Sequence, residues 1–300
     1  DENNPYVDDK PKYEKDKKLG KYVVVNDYVN ATQNYNSKHA AILPRMWSGE
    51  HAENYMMYTG YLDFKIKTEY QMQNELRTLV TDFRKRVSDG YVDYEDYHKF
   101  LRTYAAYLDI EKPSFGQNIA YLLEYQLGYM YWRYFMWNFT GRQDDIQGKY
   151  DMHGNWLSGI KFIDEFFLGY PQENLPSDVL NNKARNTYYF LPLLLGLIGL
   201  FFLFNTDKKL FWVMLVFFLF TGLAIQFYTN VRPFEPRERD YSVVGSFYVF
   251  AMWIGFGVYA IANSLNKVSK SSLVAHIVSL AWLIIVPGVL AANNWNDHDR

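Results

Sequence analysis

The chain has 300 residues, a net charge of −2 and no cysteine. A near-neutral balance with no basic face argues against nucleic-acid binding, because phosphates must be met by Lys and Arg; the missing thiols exclude disulfides, thiolate metal sites and cysteine nucleophiles. Mean hydropathy is −0.27, an average over unlike parts, since charge gathers in the first part while Leu, Phe, Val, Ile, Trp and Gly dominate from Thr187 to Trp295.

Residues 1–20 are charged and poor in apolar groups, the pattern of a solvated linker. The polar opening DENNPYVDDKPKYEKDKK reads as an internal piece of a longer polypeptide. KYVVVNDYV, from Lys21, has the β-branched density of a short strand. Between Gly60 and Val87, Leu76, Leu79, Val80, Phe83 and Val87 recur at helical spacing and predict an amphipathic helix. A second helix, rich in Tyr, is expected from Tyr94 to Asp109. A third, from Ser114 to Phe139, is almost a continuous aromatic band, with Gly141 as its stop. From Gln143 to Arg185, scattered Gly, Asn, Asp and Pro predict loop with short helical pieces around Gly159 to Phe167.

The solvent then changes. Segments 188–205, 210–228, 241–265 and 273–293 each approach the ~20 apolar residues that cross ~30 Å of hydrocarbon as a helix. They contain no Asp, Glu, Lys or Arg, and His276 and Gln226 are among their polar exceptions. Four such segments in succession are hard to bury in water, so the fold class expected is mainly α: a mostly helical, aromatic-rich polar domain over 21–186, then four transmembrane helices within 187–295, with 296–300 leading into a further extracytoplasmic region. Four crossings put both chain ends on one side, but Lys208, Lys209, Lys267 and Lys270 in two turns balance Arg232, Arg237 and Arg239 in the other, so loop charge leaves the orientation open.

That Arg-rich turn, RPFEPRERDY from Arg232 to Tyr241, holds three arginines and three acids in ten residues. Guanidinium groups match phosphate oxygens through a planar fork, which makes Arg237, Arg239 and Arg232 candidates for binding a lipid phosphate or pyrophosphate. Glu235, Glu238 and Asp240 suit a base, a metal ligand or an orienter of the arginines. A self-neutralising polar turn explains the same residues equally well. In YMYWRYFMWNFTGRQDD, Arg133, Trp137, Asn138 and Arg142 are candidates for ligand contact, since aromatic faces beside amides and cations suit sugar rings; interface packing or a seat on the bilayer is the competing explanation. SDGYVDYEDYHKF resembles the back half of a calcium loop, but Lys85 and Val87 stand where the first ligands belong, so a turn followed by a capped helix is expected. The histidines show no metal-ligand spacing, no metal site is predicted from them, and no nucleotide-cradling motif occurs.

KYVVVNDYV, LPRMWS, YMYWRYFMWNFTGRQDDIQG, NKARNTYYFLPLLLGLIGLFF and EPRERDYSVVGSFYVFAMWIGFGVYA follow one another in this order. Over nearly the whole chain they resemble the middle portion of a family of large multi-spanning membrane proteins of Bacteroidota, grouped with the protein O-mannosyltransferases of the GT-C superfamily. The resemblance implies an enzyme of the bacterial inner membrane that moves a sugar, mannose by the family's pattern, from a polyprenyl-phosphate donor to Ser or Thr of secreted or periplasmic acceptor proteins. It also implies a GT-C-like whole, in which the remainder of the polypeptide supplies an upstream catalytic acid and a downstream soluble region. The polar domain would be periplasmic and the two Lys turns cytoplasmic. The catalytic residues stay unassigned, no cofactor is called for, and a divalent metal is left open. A noncatalytic membrane scaffold or assembly subunit, and a flippase for lipid-linked sugar, are the competing classes.

Overall fold

The computed structural model describes residues 12–26, 43, 46, 48–146, 148, 152–234, 240–269 and 272–295. The chain divides into two units, Asp1–Leu43 and Pro44–Arg300. In the first, β1 (Lys12–Asp16) pairs antiparallel with β2 (Lys21–Asn26). The stretch expected to be linker therefore contains a strand. Valines 23 to 25 favour extended backbone, an extended backbone needs a hydrogen-bonding partner, and Asp16 supplies the turn by accepting from Lys18 N and Leu19 N at 2.7 and 3.2 Å.

The second unit is mostly helical among the described residues. Its first layer packs α1 (Ala52–Thr59), α2 (Asn74–Ser88) and α3 (Tyr94–Thr103) on a two-stranded ribbon of β3 (Phe64–Ile66) and β4 (Leu108–Ile110). Met56, Phe64, Phe83, Tyr97 and Leu101 form its core. The helix expected over 60–87 starts only at Asn74, and the one expected to reach Asp109 stops at Thr103. Leu62 and Phe64 are buried and Asp63 and Lys65 exposed, a period of two that the ribbon uses. Helix α3 is capped by Asp93, whose Oδ1 accepts from Asp96 N at 2.7 Å.

The aromatic band is one continuous helix, α4 (Phe115–Ala120), a π-helical stretch (Tyr121–Arg133) and α5 (Tyr134–Phe139). Ser114 and Gln117 begin it with a reciprocal capping box. Gly141–Arg142 (β5) pairs with Asn186–Thr187 (β6), and the segment between them carries α6 (Lys161–Leu168) and α7 (Ser177–Leu180).

Apolar helices complete the unit: α8 (Leu191–Thr206), α9 (Lys208–Leu219) running through a π turn into α10 (Ile225–Thr229), α11 (Asp240–Ser269) and α12 (Ser272–Trp295). Two stretches, Lys208–Thr229 and Tyr241–Val268, are long and apolar enough to cross a membrane; Leu191–Thr206 and His276–Ala292 are shorter apolar helices. The first apolar helix begins at Leu191, later than expected, because Tyr188 N is hydrogen-bonded to Thr140 O and Tyr189 and Phe190 turn through the left-handed region. Phe201, Trp212, Val213, Phe220 and Tyr248 point outward from these helices and are exposed. The compositional boundary at 186 does not interrupt packing. Tyr131, Tyr134 and Phe135 of the aromatic helix share a core with Leu203, Met214, Phe250 and Trp253 of the apolar helices.

Candidate functional site

Where α1, the aromatic helix and the Arg-rich turn converge, a third core forms from Tyr55, Tyr58, Tyr121, Tyr125, Tyr129, Met130 and Val231. Each partner is fixed locally. Tyr125 Oη donates to Arg232 O at 2.8 Å, and Gln126 Nε2 donates to Asn230 Oδ1 at 2.7 Å, so two successive residues of the aromatic helix hold the start of the turn. Asn230 and Phe234 both adopt left-handed backbone, an unfavourable choice for a residue with a side chain. On the facing wall, Tyr55 Oη donates to Asn118 Oδ1 at 2.7 Å. His98 pins the entry to α1, its Nε2 lying 3.0 Å from Gly49 O and its Nδ1 paired with Glu53.

These anchors leave a cavity of about 290 Å³, close to the lower end of the roughly 300–1,000 Å³ of small-molecule clefts. Tyr55, Tyr121, Phe234, Pro233 and Met46 give it an aromatic and apolar wall, while Ser48, His51, Asn54 and Arg232 give it donors and acceptors. The Tyr55 and Tyr121 rings lie 4.9 Å apart. Tyr121 Oη is buried and has no hydrogen-bond partner among the described residues. Burial pushes the phenols of Tyr121 and Tyr55 well above their ordinary range, so both remain neutral hydroxyls that can donate at physiological pH. A buried donor without an acceptor costs about 1–3 kcal/mol, which a ligand oxygen would recover.

Arg232 is the one predicted site residue that lines this cavity among the described residues. Arg237, Arg239, Glu235 and Glu238 lie outside the described residues, and Asp240 opens α11. The aromatic candidates sit elsewhere. Arg133 is buried, with its guanidinium 4.2 Å above the Tyr129 ring and donating to Tyr129 O at 3.1 Å and to Gly154 O. Arg142 donates to Ala184 O at 2.7 Å and lies 5.5 Å from the Trp137 ring. Asn138 is exposed, its amide donating to Tyr134 O within its own helix.

Around those arginines, two buried carboxylates knit the loop between β5 and β6. Asp144 accepts from Gly154 N at 2.9 Å and Ile146 N at 3.1 Å, with His153 Nδ1 2.8 Å away. Asp164 accepts from Ser158 N, Ser158 Oγ and Gly159 N at 2.7–2.9 Å. Burial draws the Arg185 guanidinium below its ordinary value, and the charges of Asp144 and Asp164 oppose that shift. No group of three His, Asp or Glu converges as a metal set among the described residues.

Sequence reasoning missed Tyr55, Tyr121, His51, Asn54 and Ser48. They come from two stretches far from the Arg-rich turn, and no local motif marks them. Residues 1–123 match the model of a family of unknown function, DUF8416. That stretch contains every cavity residue except Arg232, Pro233 and Phe234. No curated protein and no solved structure matches the chain.

Proposed function

We propose that this chain is the central part of a membrane-embedded glycosyltransferase of GT-C type, with the cavity beneath the Arg-rich turn as the seat of a phosphate-linked sugar. In this reading all four apolar segments span the bacterial inner membrane, and α1–α7 stand on its periplasmic face. The observation that carries it is the convergence in one cavity of Arg232, from the turn singled out for phosphate binding, with an aromatic wall that includes Tyr121, whose buried hydroxyl is unsatisfied among the described residues. Aromatic faces suit the C–H face of a sugar, and Tyr121, Asn54, Ser48 and His51 suit its hydroxyl rim. Arg232 suits the phosphate, on which negative charge grows as the sugar leaves. Exposed apolar side chains all along α8, α9 and α11 support the membrane placement, since so continuous a surface is uncommon on soluble monomers.

The test is transfer from polyprenyl-phosphate-mannose to a Ser/Thr acceptor by the full-length protein in native membranes, comparing wild type with Arg232→Ala at matched expression. Loss of one charge-assisted hydrogen bond, about 1.5–3 kcal/mol, predicts a fall of roughly ten- to hundredfold. Unchanged transfer in the variant would remove the cavity from the donor path. A wild type that transfers from no lipid-linked donor would favour the scaffold or the flippase.

A further inference from the structure

Helix α6 is amphipathic the wrong way round for water. Its most buried residue is Asp164, only 4 % exposed, while Phe162, Phe166 and Phe167 are 78 %, 74 % and 64 % exposed. The buried carboxylate is fully engaged with the backbone and hydroxyl of Ser158 and with Gly159 N, so the helix is locked in this rotation. Rolling the phenylalanines inward would break those three bonds and leave a buried charge without donors. A soluble surface has no use for three neighbouring benzyl groups held outward by such a lock.

The place of α6 says what covers them. Tyr189 N donates to Ser158 O at 3.0 Å, and Gly159 lies against the Tyr189 ring, where an added Cβ would come within 2.9 Å. Two residues later α8 begins at Leu191. Trp156 continues the connection, its ring 5.0 Å from Phe167 and 6.0 Å from Phe190, the residue that enters α8. The outward phenylalanines are thus tied to the head of an apolar helix whose own Leu191, Leu194 and Phe201 are exposed. On α12, Val289 and Leu290, near the end of the helix, join Tyr189 and Leu191 in lining an apolar crevice of about 220 Å³. Trp and Tyr concentrate where hydrocarbon meets water.

From this geometry we infer that α6 is an interfacial helix that seats the polar domain on the lipid bilayer, with Phe162, Phe166 and Phe167 inserted among the headgroups and upper acyl chains. The inference rests on the membrane placement of the apolar helices and adds to it a lipid-binding surface outside them. Lys161, ion-paired with Glu173 at 2.8 Å, keeps the start of the helix in water. Through Asp164, Ser158 and Tyr189, the same helix sets the height of the β5–β6 loop above the membrane.

These 300 residues contain no cysteine, so single cysteines are introduced into a full-length background in which every cysteine outside them has been replaced by serine. The full-length protein, reconstituted in phosphatidylethanolamine and phosphatidylglycerol vesicles, would carry a nitroxide in turn at Phe162→Cys, Phe166→Cys, Phe167→Cys, Glu173→Cys and Phe201→Cys. Collision with oxygen, which dissolves in lipid, and with a water-soluble nickel chelate would be read at each site. The expected result is an oxygen-to-nickel ratio severalfold higher at the three phenylalanine sites than at Glu173, rising further at Phe201. High nickel accessibility at all three, with Phe201 in lipid, overturns the interfacial helix and leaves the membrane reading standing. Protection from both reagents at all three also overturns it, since a protein surface would then cover the patch. Nickel accessibility at Phe201 itself would remove the membrane reading and the inference together.

Discussion

Tyr121 carries a conflict between its ring and its hydroxyl. Its ring completes an aromatic core with Tyr55, Tyr58 and Tyr125, while its buried hydroxyl meets no partner among the described residues. Phenylalanine would keep the ring contacts and delete the orphan donor. Tyr121→Phe should therefore match or exceed wild-type stability in detergent, by up to about 1–3 kcal/mol, while weakening sugar transfer. Thermal unfolding and transfer, measured on the same preparation, check both halves; a destabilised variant would mean that Tyr121 Oη has an acceptor within the protein. The site was only partly legible in the sequence for the same reason that this residue matters. Arg232 stood out because its turn is dense in charge, whereas Tyr121 is one of 27 tyrosines, distinguished only by a pocket built from distant segments. Arg133 shows the converse. The aromatic segment around it suggested a sugar platform, and the structure gives its guanidinium backbone carbonyls and a ring face to hold instead.

At the scale of elements, the apolar helices were legible because composition alone defines them, and their bounds move by only a few residues. The ribbon of β3 and β4 was not. Each strand has three residues, too few for a period of two to stand out beside an adjoining helical pattern, and their pairing spans more than forty residues of sequence. The contact of α8 with α11 was hidden for another reason. At Gly199 an added Cβ would fall 1.8 Å from Trp253 O, and at Gly257 it would fall 2.1 Å from Leu195 O, so the two backbones meet through their glycines. Gly255, on the same helix as Gly257, faces open space. Gly199→Ala should thus cost more than the usual ~1–3 kcal/mol of overpacking, because backbone rather than a rotatable side chain must move. Gly255→Ala should be neutral or stabilising by up to ~1 kcal/mol, the ordinary gain in helix propensity. Unfolding midpoints of the two variants in one detergent decide it, and equal shifts would place the helix contact elsewhere.

For the second unit as a whole, the change in composition near Asn186 suggests two bodies, yet the packing argues for one. Phe135 belongs to the polar side of that boundary in sequence. Its ring is buried among Tyr131, Trp132 and Phe139 of its own helix, Phe218 of α9 and Phe247 and Phe250 of α11, at centroid distances of 4.7–6.1 Å. Next to it, Tyr131 lies where a side chain at Gly222 would be, so the π turn of the second apolar stretch receives the π-helical stretch of the aromatic helix. Extra residues in both helices at one contact are a common device for bringing side chains to a site. The next turns of the same two elements hold the cavity, through Tyr125, Gln126, Asn230 and Arg232. Cavity and seam should consequently melt together. Unfolding of the detergent-solubilised protein, followed by aromatic near-ultraviolet dichroism and by helical far-ultraviolet dichroism, should give coincident transitions for residues 44–300. Phe135→Ala should shift both by the same amount, on the order of 3–5 kcal/mol for a buried phenylalanine. If the aromatic signal were lost first while the helical signal held, the polar layer would unfold separately, and the cavity would then rest on α1 and the aromatic helix without help from the apolar helices.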